Sequence, residues 1–129
     1  LNVGADIAAA MRTHLTNEDV QNQACRVLSK LASNDRNCEI LGQDLNVSAE
    51  IVAAMRAHLM NADVQKEACG ALWGLARNNR NKELMGQDLN VGAEIMVAMR
   101  AHLTNASVQI QGSGALWSLA SNDRNKEIL

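Results

Sequence analysis

The stretch Leu-Asn-Val-Ser-Ala-Glu-Ile at residues 45–51 decides the fold, because the chain repeats it at a fixed interval. Nearly the same seven residues occur 44 positions earlier, at 1–7, and 44 positions later, at 89–95. The similarity extends beyond these segments, since residues 45–85 and 89–129 are identical at 27 of 41 positions. A period of this length is typical of solenoids, in which each unit buries its apolar residues against its neighbours. We therefore predict a short array of stacked units.

The spacing of apolar residues in the middle copy predicts three helices. Ile51, Met55 and Leu59 lie four residues apart, as on one face of an amphipathic helix. A second helix follows, with an apolar face made of Val64, Ala68, Leu72, Leu75 and Ala76. The polar cluster Asn-Asn-Arg-Asn at 78–81 then separates it from a short third segment at 82–85. Two long helices and one short helix in each copy favour an all-α fold.

Polar and small residues mark where the long helices are expected to begin. Ser48, replaced by Gly4 and Gly92 in the other copies, stands where the N-cap of the first helix is expected. Asn61 interrupts the helical pattern, and we expect it to cap the second helix.

The bulk composition excludes several classes of protein. The net charge is −2, whereas a protein that tracks nucleic-acid phosphates needs a basic surface. No apolar stretch approaches the roughly 20 residues that a membrane span requires.

Cys25 and Cys69 are equivalent in successive copies, about 8–10 Å apart in a helical stack, which is too far for a disulfide. Cys38 stands where the other copies have lysine, so we expect it to be exposed and free, and the chain to be cytoplasmic.

The motif in residues 63–81 carries a family resemblance. Val64-Gln65 is followed by Ala68, then by Leu72, Leu75 and Ala76, and finally by Asn78 and Asn81; the other copies keep this spacing. This pattern resembles the armadillo repeat, and three tandem 44-residue units cover essentially the whole chain. HEAT repeats are the near alternative, but the proline of their first helix is absent, because the chain contains no proline. The resemblance implies a right-handed α-solenoid, a superhelix of three-helix units.

The resemblance also implies a binding face. In armadillo arrays the third helix of each unit lines a concave groove that commonly holds an extended peptide. Importin-like members use a ladder of Trp and Asn there, but the corresponding positions here are Gly70 and Gly74 in the middle copy. The first copy has Arg26 and Lys30 there, so binding of a nuclear-import signal is not implied.

Two tryptophans give this predicted face its character. Lys66, Gly70, Trp73 and Arg77 share one side of the helix that contains Val64 and Leu72, which is the third helix of the armadillo unit, and this side is turned away from the apolar face. One hypothesis makes Trp73 and Trp117 anchors for a partner. In the alternative, each ring packs on a neighbouring helix over Gly70 or Gly114. The two hypotheses are compatible, because one edge of a ring can pack while the other is exposed. The predicted protein-binding residues are Arg26, Lys30, Lys66, Glu67, Trp73, Arg77 and Trp117.

Features that imitate catalytic sites have simpler explanations. His14, His58 and His102 recur in every copy, but neighbours about 10 Å apart cannot share one metal ion. We expect their rings to meet unpaired carbonyls at the end of a helix. The arginine at residues 12, 56 and 100 could form a column that binds phosphates. Each of them, however, has an acidic residue six positions earlier that offsets its positive charge. We predict no catalytic residue, no cofactor and no metal.

The repeat pattern divides the chain into four parts. These are a partial first unit at 1–33, complete units at 34–77 and 78–121, and the first helix of a further unit at 122–129. Terminal units normally carry a polar outer face, which is not seen here. We expect either an excerpt of a longer or engineered array, or head-to-tail contact between copies. The residues predicted for that contact are Ile7, Met11, Leu15, Ile128 and Leu129.

Two functions follow from these observations. The leading hypothesis is a non-enzymatic scaffold that binds an extended peptide or protein segment along the concave third-helix face. The alternative is a structural module that self-assembles head-to-tail into an oligomer or filament. Neither hypothesis involves nucleic acid or a membrane.

Overall fold

A computed structural model describes residues 2–87 and 90–129 and shows that these parts of the chain are all α. Each copy contributes two long helices and one shorter helix, as the apolar spacing predicts. The described helices are α1 (Val3–Thr13), α2 (Glu18–Ala32), α3 (Asp35–Gln43), α4 (Leu45–Ala57), α5 (Ala62–Leu75), α6 (Asn79–Gln87), α7 (Val91–Ala101), α8 (Ala106–Ala120) and α9 (Asp123–Ile128).

Equivalent helices pack side by side, so the three copies form a stack. Helices α2, α5 and α8 make one row of neighbours, α1, α4 and α7 a second, and α3, α6 and α9 a third. A single apolar core runs through all three copies, from Met11 and Leu28 through Ile51 and Leu72 to Leu119. The repeating pattern confirms the predicted armadillo-like α-solenoid. The exact unit boundaries, 1–33, 34–77, 78–121 and 122–129, stay a prediction.

Asparagine side chains begin most of these helices. Asn17, Asn61 and Asn105 each accept a hydrogen bond from the backbone N–H three residues later, at 3.0–3.1 Å. These bonds satisfy N–H groups that have no partner within the helix, which confirms the predicted cap at Asn61. The predicted cap at Ser48 is wrong, because α4 begins at Leu45 and its N-cap is Asp44.

The small residues at positions 4, 48 and 92 have a packing role instead. Ser48 is buried inside α4, and a Cβ at Gly4 would lie 2.7 Å from Cδ2 of Leu41. A side chain at Gly4 would therefore press on Leu41, which would have to turn aside. Small residues recur at this position because the helices pack closely there. The same residue types are also common N-caps, which explains the wrong prediction.

Ion pairs join successive copies along the second row of helices. Nε of Arg12 lies 3.1 Å from Oε1 of Glu50, and Nη2 of Arg56 lies 2.7 Å from Oε1 of Glu94. The acidic residues therefore do offset the arginines, but each pair links one copy to the next. The hydrogen bond from Arg56 to Glu94 raises the pKa of the guanidinium further.

The recurring histidines also bridge the copies. His14, His58 and His102 follow the ends of α1, α4 and α7, as expected. Nε2 of His58 lies 2.6 Å from the Leu15 carbonyl oxygen, and Nε2 of His102 lies 2.6 Å from that of Leu59. The rings thus meet carbonyls, as the sequence predicts, and those carbonyls belong to the preceding copy.

A buried amide links the short helices of successive copies. Nδ2 of Asn81 donates to the Cys38 carbonyl at 2.7 Å and to the Leu75 carbonyl at 3.1 Å. Asn125 makes the same two bonds one copy later, to the carbonyls of Lys82 and Leu119. Each amide occupies the space above a glycine of the preceding short helix, which is Gly42 or Gly86. The amides therefore fix the register of α3, α6 and α9.

The expectation of an exposed Cys38 is wrong. Cys38 is 2 % exposed, and its Sγ lies 3.3 Å from the Gly74 carbonyl oxygen and 3.5 Å from that of Leu75. A thiol fits this gap between α3 and the end of α5. Of its counterparts, Lys82 is half-buried and its Nζ donates to Oγ of Ser121 at 2.6 Å, and Lys126 is exposed. Cys25, Cys38 and Cys69 are all free, as predicted.

Candidate protein-binding face

The candidate site is a groove across the row α2, α5 and α8. Its volume is about 340 Å³, and it is open along one side. The residues that line it come from three successive copies: Ser29, Ser33, Gly70, Trp73, Gly74, Arg77 and Gln111. We call this the central groove.

Two glycines of α5 line the central groove. A Cβ at Gly74 would lie 3.2 Å from Cβ of Ala32, and one at Gly70 would lie 3.2 Å from Oε1 of Gln111. Contacts of 3.2 Å are tighter than ordinary van der Waals packing between such atoms. Gly74 therefore lets α5 approach α2 closely, whereas the contact at Gly70 is with the end of a flexible side chain.

Trp73 forms one wall of the central groove and also packs on the next copy. A Cβ at Gly114 would lie only 2.5–2.6 Å from three carbons of the six-membered ring, Cζ3, Cε3 and Cη2. The ring therefore lies against the α8 backbone at Gly114. This contact has the geometry of the packing alternative, while the half-buried ring keeps another part of its surface in the groove.

Arg77 also lines the groove, just beyond the end of α5. Its Nη2 donates to the carbonyl oxygen of Ala32, and its Nη1 lies 3.6 Å from Oδ1 of Asp35. The guanidinium therefore joins the end of α5 to the end of α2 and the start of α3. The side chain is still partly exposed and lines the groove.

The remaining predicted residues are not among those that line the central groove. Arg26 and Lys30 are exposed on α2, and within residues 2–87 and 90–129 neither has a carboxylate within 4.0 Å. Nζ of Lys66 lies 3.4 Å from Oε1 of Glu67, so these two charges offset each other. The structure thus brings Trp73 and Arg77 into one groove, and on the neighbouring helix two cations have no acidic partner among the residues described.

Trp117 occupies the position of Trp73 one copy later, but it is 77 % exposed. It lines a different groove of about 630 Å³ at the end of the stack. That groove, which we call the end groove, is lined by Met96, Met99, Arg100, Leu103, Gln109, Ser113, Leu116, Trp117, Ala120 and Leu129.

The residues predicted for end-to-end contact are not equally exposed. Ile128 and Leu129 are exposed, and Ile7 and Leu15 are half-buried. Met11 is fully buried in the core, so its side chain is not on an end surface. The apolar spacing on which the prediction of Met11 rested marks the face of α1 that packs into the core.

Burial keeps the cysteines unreactive. Desolvation raises the pKa of the Cys25 thiol to about 12 and that of Cys69 to about 12, and it also raises the pKa of Cys38. Thiols in this state are poor nucleophiles at neutral pH. Among the residues that the structure describes, no cluster of three His, Cys, Asp or Glu side chains could hold a metal ion. None of the described helices is long and apolar enough to cross a membrane.

The lining of the central groove comes from three copies, so the sequence of one copy does not show all of it. Ser29, Ser33 and Gln111 line it but were not among the predicted residues, because they belong to the copies on either side of Trp73. The signal that could have found them is the alignment of equivalent positions. Gln111 is the counterpart of Glu67, and Ser33 is the counterpart of Arg77.

Comparison with known proteins agrees with the stacked three-helix geometry. The model of the family described as LRRK2 ARM repeat matches residues 3–128. No curated protein and no solved structure matches the chain. Armadillo repeats generally act as protein-interaction modules and are typically non-catalytic. Because the match spans nearly the whole sequence, the chain belongs to the armadillo repeat family of the LRRK2 type.

Proposed function

We propose that this armadillo module binds an extended protein segment along the row α2, α5 and α8, with the central groove at its middle. The observation that supports this most strongly is the groove itself, which combines one aromatic wall, Trp73, with hydroxyl, amide and guanidinium groups. A wall of this kind suits an apolar side chain, and the polar groups suit a peptide backbone. Trp and Arg are also the residue types that dominate binding energy at interfaces.

The charges around the groove favour an acidic segment. Within residues 2–87 and 90–129, Arg26 and Lys30 are exposed with no carboxylate within 4.0 Å, whereas the charge of Arg77 is already offset by Asp35. The pair Lys66 and Glu67 contributes little net charge. A segment with Asp or Glu on either side of an apolar residue would therefore pair with α2 while its apolar side chain packs on Trp73.

A displayed library of random peptides tests this proposal. The library is selected on the wild-type protein and deselected on the double variant Arg26→Glu/Lys30→Glu. We expect the retained peptides to be acidic, with an apolar residue in the centre. We also expect binding to weaken as salt is added, because exposed charges contribute to it. Peptides without charge preference that bind both proteins equally would refute the acidic assignment.

The indole signals provide a positional readout, since the chain has two tryptophans, Trp73 and Trp117. A selected peptide should shift the indole N–H resonance of Trp73 in a ¹⁵N spectrum. The Arg77→Ala variant should lose affinity, whereas Arg100→Ala, which lies at the end groove, serves as the matched control and should not. A peptide that shifts only the indole resonance of Trp117 would place the binding site at the end groove and refute this proposal.

A further inference from the structure

A second pocket, of about 450 Å³, lies where the turn between α4 and α5 meets the start of α2. Its lining includes Glu18 from the first copy and Arg56, His58, Met60 and Asn61 from the middle copy. It belongs to the junction between two described copies, and none of its lining residues lines the central groove. We call it the turn pocket.

His58 gives the turn pocket a hydrogen-bond acceptor. Its side chain is only 9 % exposed, and its Nε2 lies 2.6 Å from the Leu15 carbonyl oxygen. A carbonyl oxygen can only accept, so in a neutral ring Nε2 carries the proton and Nδ1 carries the lone pair. Within residues 2–87 and 90–129, no group donates a hydrogen bond to this Nδ1.

Glu18 supplies a second acceptor, and an amide holds it in place. Its Oε2 accepts a hydrogen bond from Nδ2 of Asn61 at 2.9 Å, while Oδ1 of Asn61 accepts from the Val64 N–H at 3.1 Å. The amide that caps α5 thus orients the carboxylate. Its other oxygen, Oε1, lies 4.0 Å from Nδ1 of His58. Two acceptors that face each other at this distance favour a cationic donor between them.

The spacing of these two acceptors suits an ammonium group. An ammonium nitrogen about 2.9 Å from both atoms would make two hydrogen bonds roughly 90° apart, which its diverging N–H groups allow. The donors of a guanidinium lie in a fixed fork that matches the two oxygens of one carboxylate. A metal ion needs more ligands, and among the described residues no third His, Cys, Asp or Glu joins this pair.

The surroundings of the turn pocket favour a lysine side chain. Met60 is 77 % exposed, and its flexible thioether can pack along the methylene groups that carry an ammonium. The positive charge of Arg56 is offset by Glu94, whose Oε1 lies 2.7 Å from Nη2. Exposed Asp19 and Asp63 add negative charge in the first turns of α2 and α5.

We propose that the turn pocket binds the ammonium group of a lysine side chain from a partner protein, between Nδ1 of His58 and Oε1 of Glu18. The proposal does not depend on the central groove, for which the favoured ligand is acidic. The next junction provides an internal control. Nε2 of His102 there bonds to the Leu59 carbonyl in the same way, but Ala62 stands in place of Glu18.

The test uses Nα-acetyl-lysine N-methylamide as the probe, in a mildly alkaline buffer in which ammonium groups stay charged. The ring resonances of the three histidines are followed by NMR. We expect the His58 resonances to shift, with a dissociation constant on the order of a millimolar, while those of His102 stay in place. The same probe acetylated on its side-chain nitrogen has no charge and should not bind.

Two variants test the carboxylate. Glu18→Gln keeps an oxygen that can accept from Asn61 but removes the charge, so the probe should bind about fivefold more weakly. Glu18 is 60 % exposed, and circular dichroism should show unchanged helicity. Ala62→Glu places a carboxylate beside His102 and Asn105 as Glu18 stands beside His58 and Asn61. In this variant the His102 resonances should also shift.

Each outcome decides the proposal. A His58 ring that carries two protons in this buffer, as judged from its ¹⁵N shifts, would have no free acceptor and would overturn it. Unshifted His58 resonances, equal binding of the acetylated probe, undiminished binding to Glu18→Gln or a silent His102 in Ala62→Glu would also overturn it. Equal binding of butylamine would assign the pocket to small free amines instead of a protein lysine. Peptide binding at the central groove is followed at Trp73, so the two proposals fail separately.

Discussion

The contact between Trp73 and Gly114 makes a sharp prediction about stability. Gly114→Ala adds a Cβ that would lie 2.5–2.6 Å from three ring carbons, about 1 Å closer than ordinary carbon contacts. The ring must move, and overpacking of this size costs about 1–3 kcal/mol. Alanine in place of glycine within a helix stabilises by about 0.5–1 kcal/mol. We therefore expect a net loss of roughly 0–2 kcal/mol in the free energy of unfolding.

Gly70→Ala is the matched control, because it is the same position one copy earlier. Its Cβ would meet Oε1 of Gln111 at 3.2 Å, the end of a flexible side chain that can turn aside. Only the gain in helix propensity then remains, about 0.5–1 kcal/mol in favour of the folded state. Thermal or urea unfolding of the two variants should thus differ by about 1–3 kcal/mol.

A double-mutant cycle separates the ring from other effects of the substitution. In the Trp73→Ala background the ring is absent, so Gly114→Ala should become stabilising by about 0.5–1 kcal/mol. Unfolding is followed by circular dichroism at several urea concentrations. If Gly114→Ala and Gly70→Ala stabilise the wild-type chain equally, the ring does not lie against the α8 backbone and the reasoning fails.

Three further predictions concern buried groups. Asn81→Ala should destabilise by about 1–3 kcal/mol, because two buried carbonyls lose their donor, while Asn37→Ala should cost almost nothing, since the equivalent Asn37 is exposed; equal losses in urea unfolding would refute the amide's role. The three buried thiols should react with a thiol reagent in the native protein only as fast as the chain opens, so a rapidly labelled fraction would contradict their burial. Stability should fall as the pH rises above about 9, because unfolded Cys25 and Cys69 lose protons that the folded thiols keep up to about pH 12. The slope should flatten in Cys25→Ala/Cys69→Ala, and urea titrations at several alkaline pH values measure it.

The fold was predictable because its signals are local and repeated. Helical spacing in one copy identifies the apolar faces, and the 44-residue period shows that copies stack on one another. Asn61 was recognisable as a cap because its bond spans only three residues. Cys38 was misjudged because its environment is set by the carbonyls of Gly74 and Leu75, which lie more than 35 positions away.

The central groove was only partly predictable, for the same reason. Trp73 and Arg77 lie on one helical face, so spacing alone brings them together. Ser29 and Gln111 reach the same groove from neighbouring copies, and their distance from Trp73 depends on how closely the helices approach. The approach of α5 to α2 depends on Gly74, where a Cβ would lie 3.2 Å from Cβ of Ala32, and the sequence of one copy does not show that contact.

The two tryptophans show why sequence position alone does not fix a role in an array. Trp73 and Trp117 occupy equivalent positions with nearly the same neighbours along the chain, yet one is half-buried and the other is 77 % exposed. The difference comes from what stands beside each ring, which is Gly114 for Trp73 and solvent for Trp117. Anything that supplies a matching surface to Trp117 therefore turns an exposed ring into a junction residue. The same side chain can act in packing or in recognition, and the partner decides which.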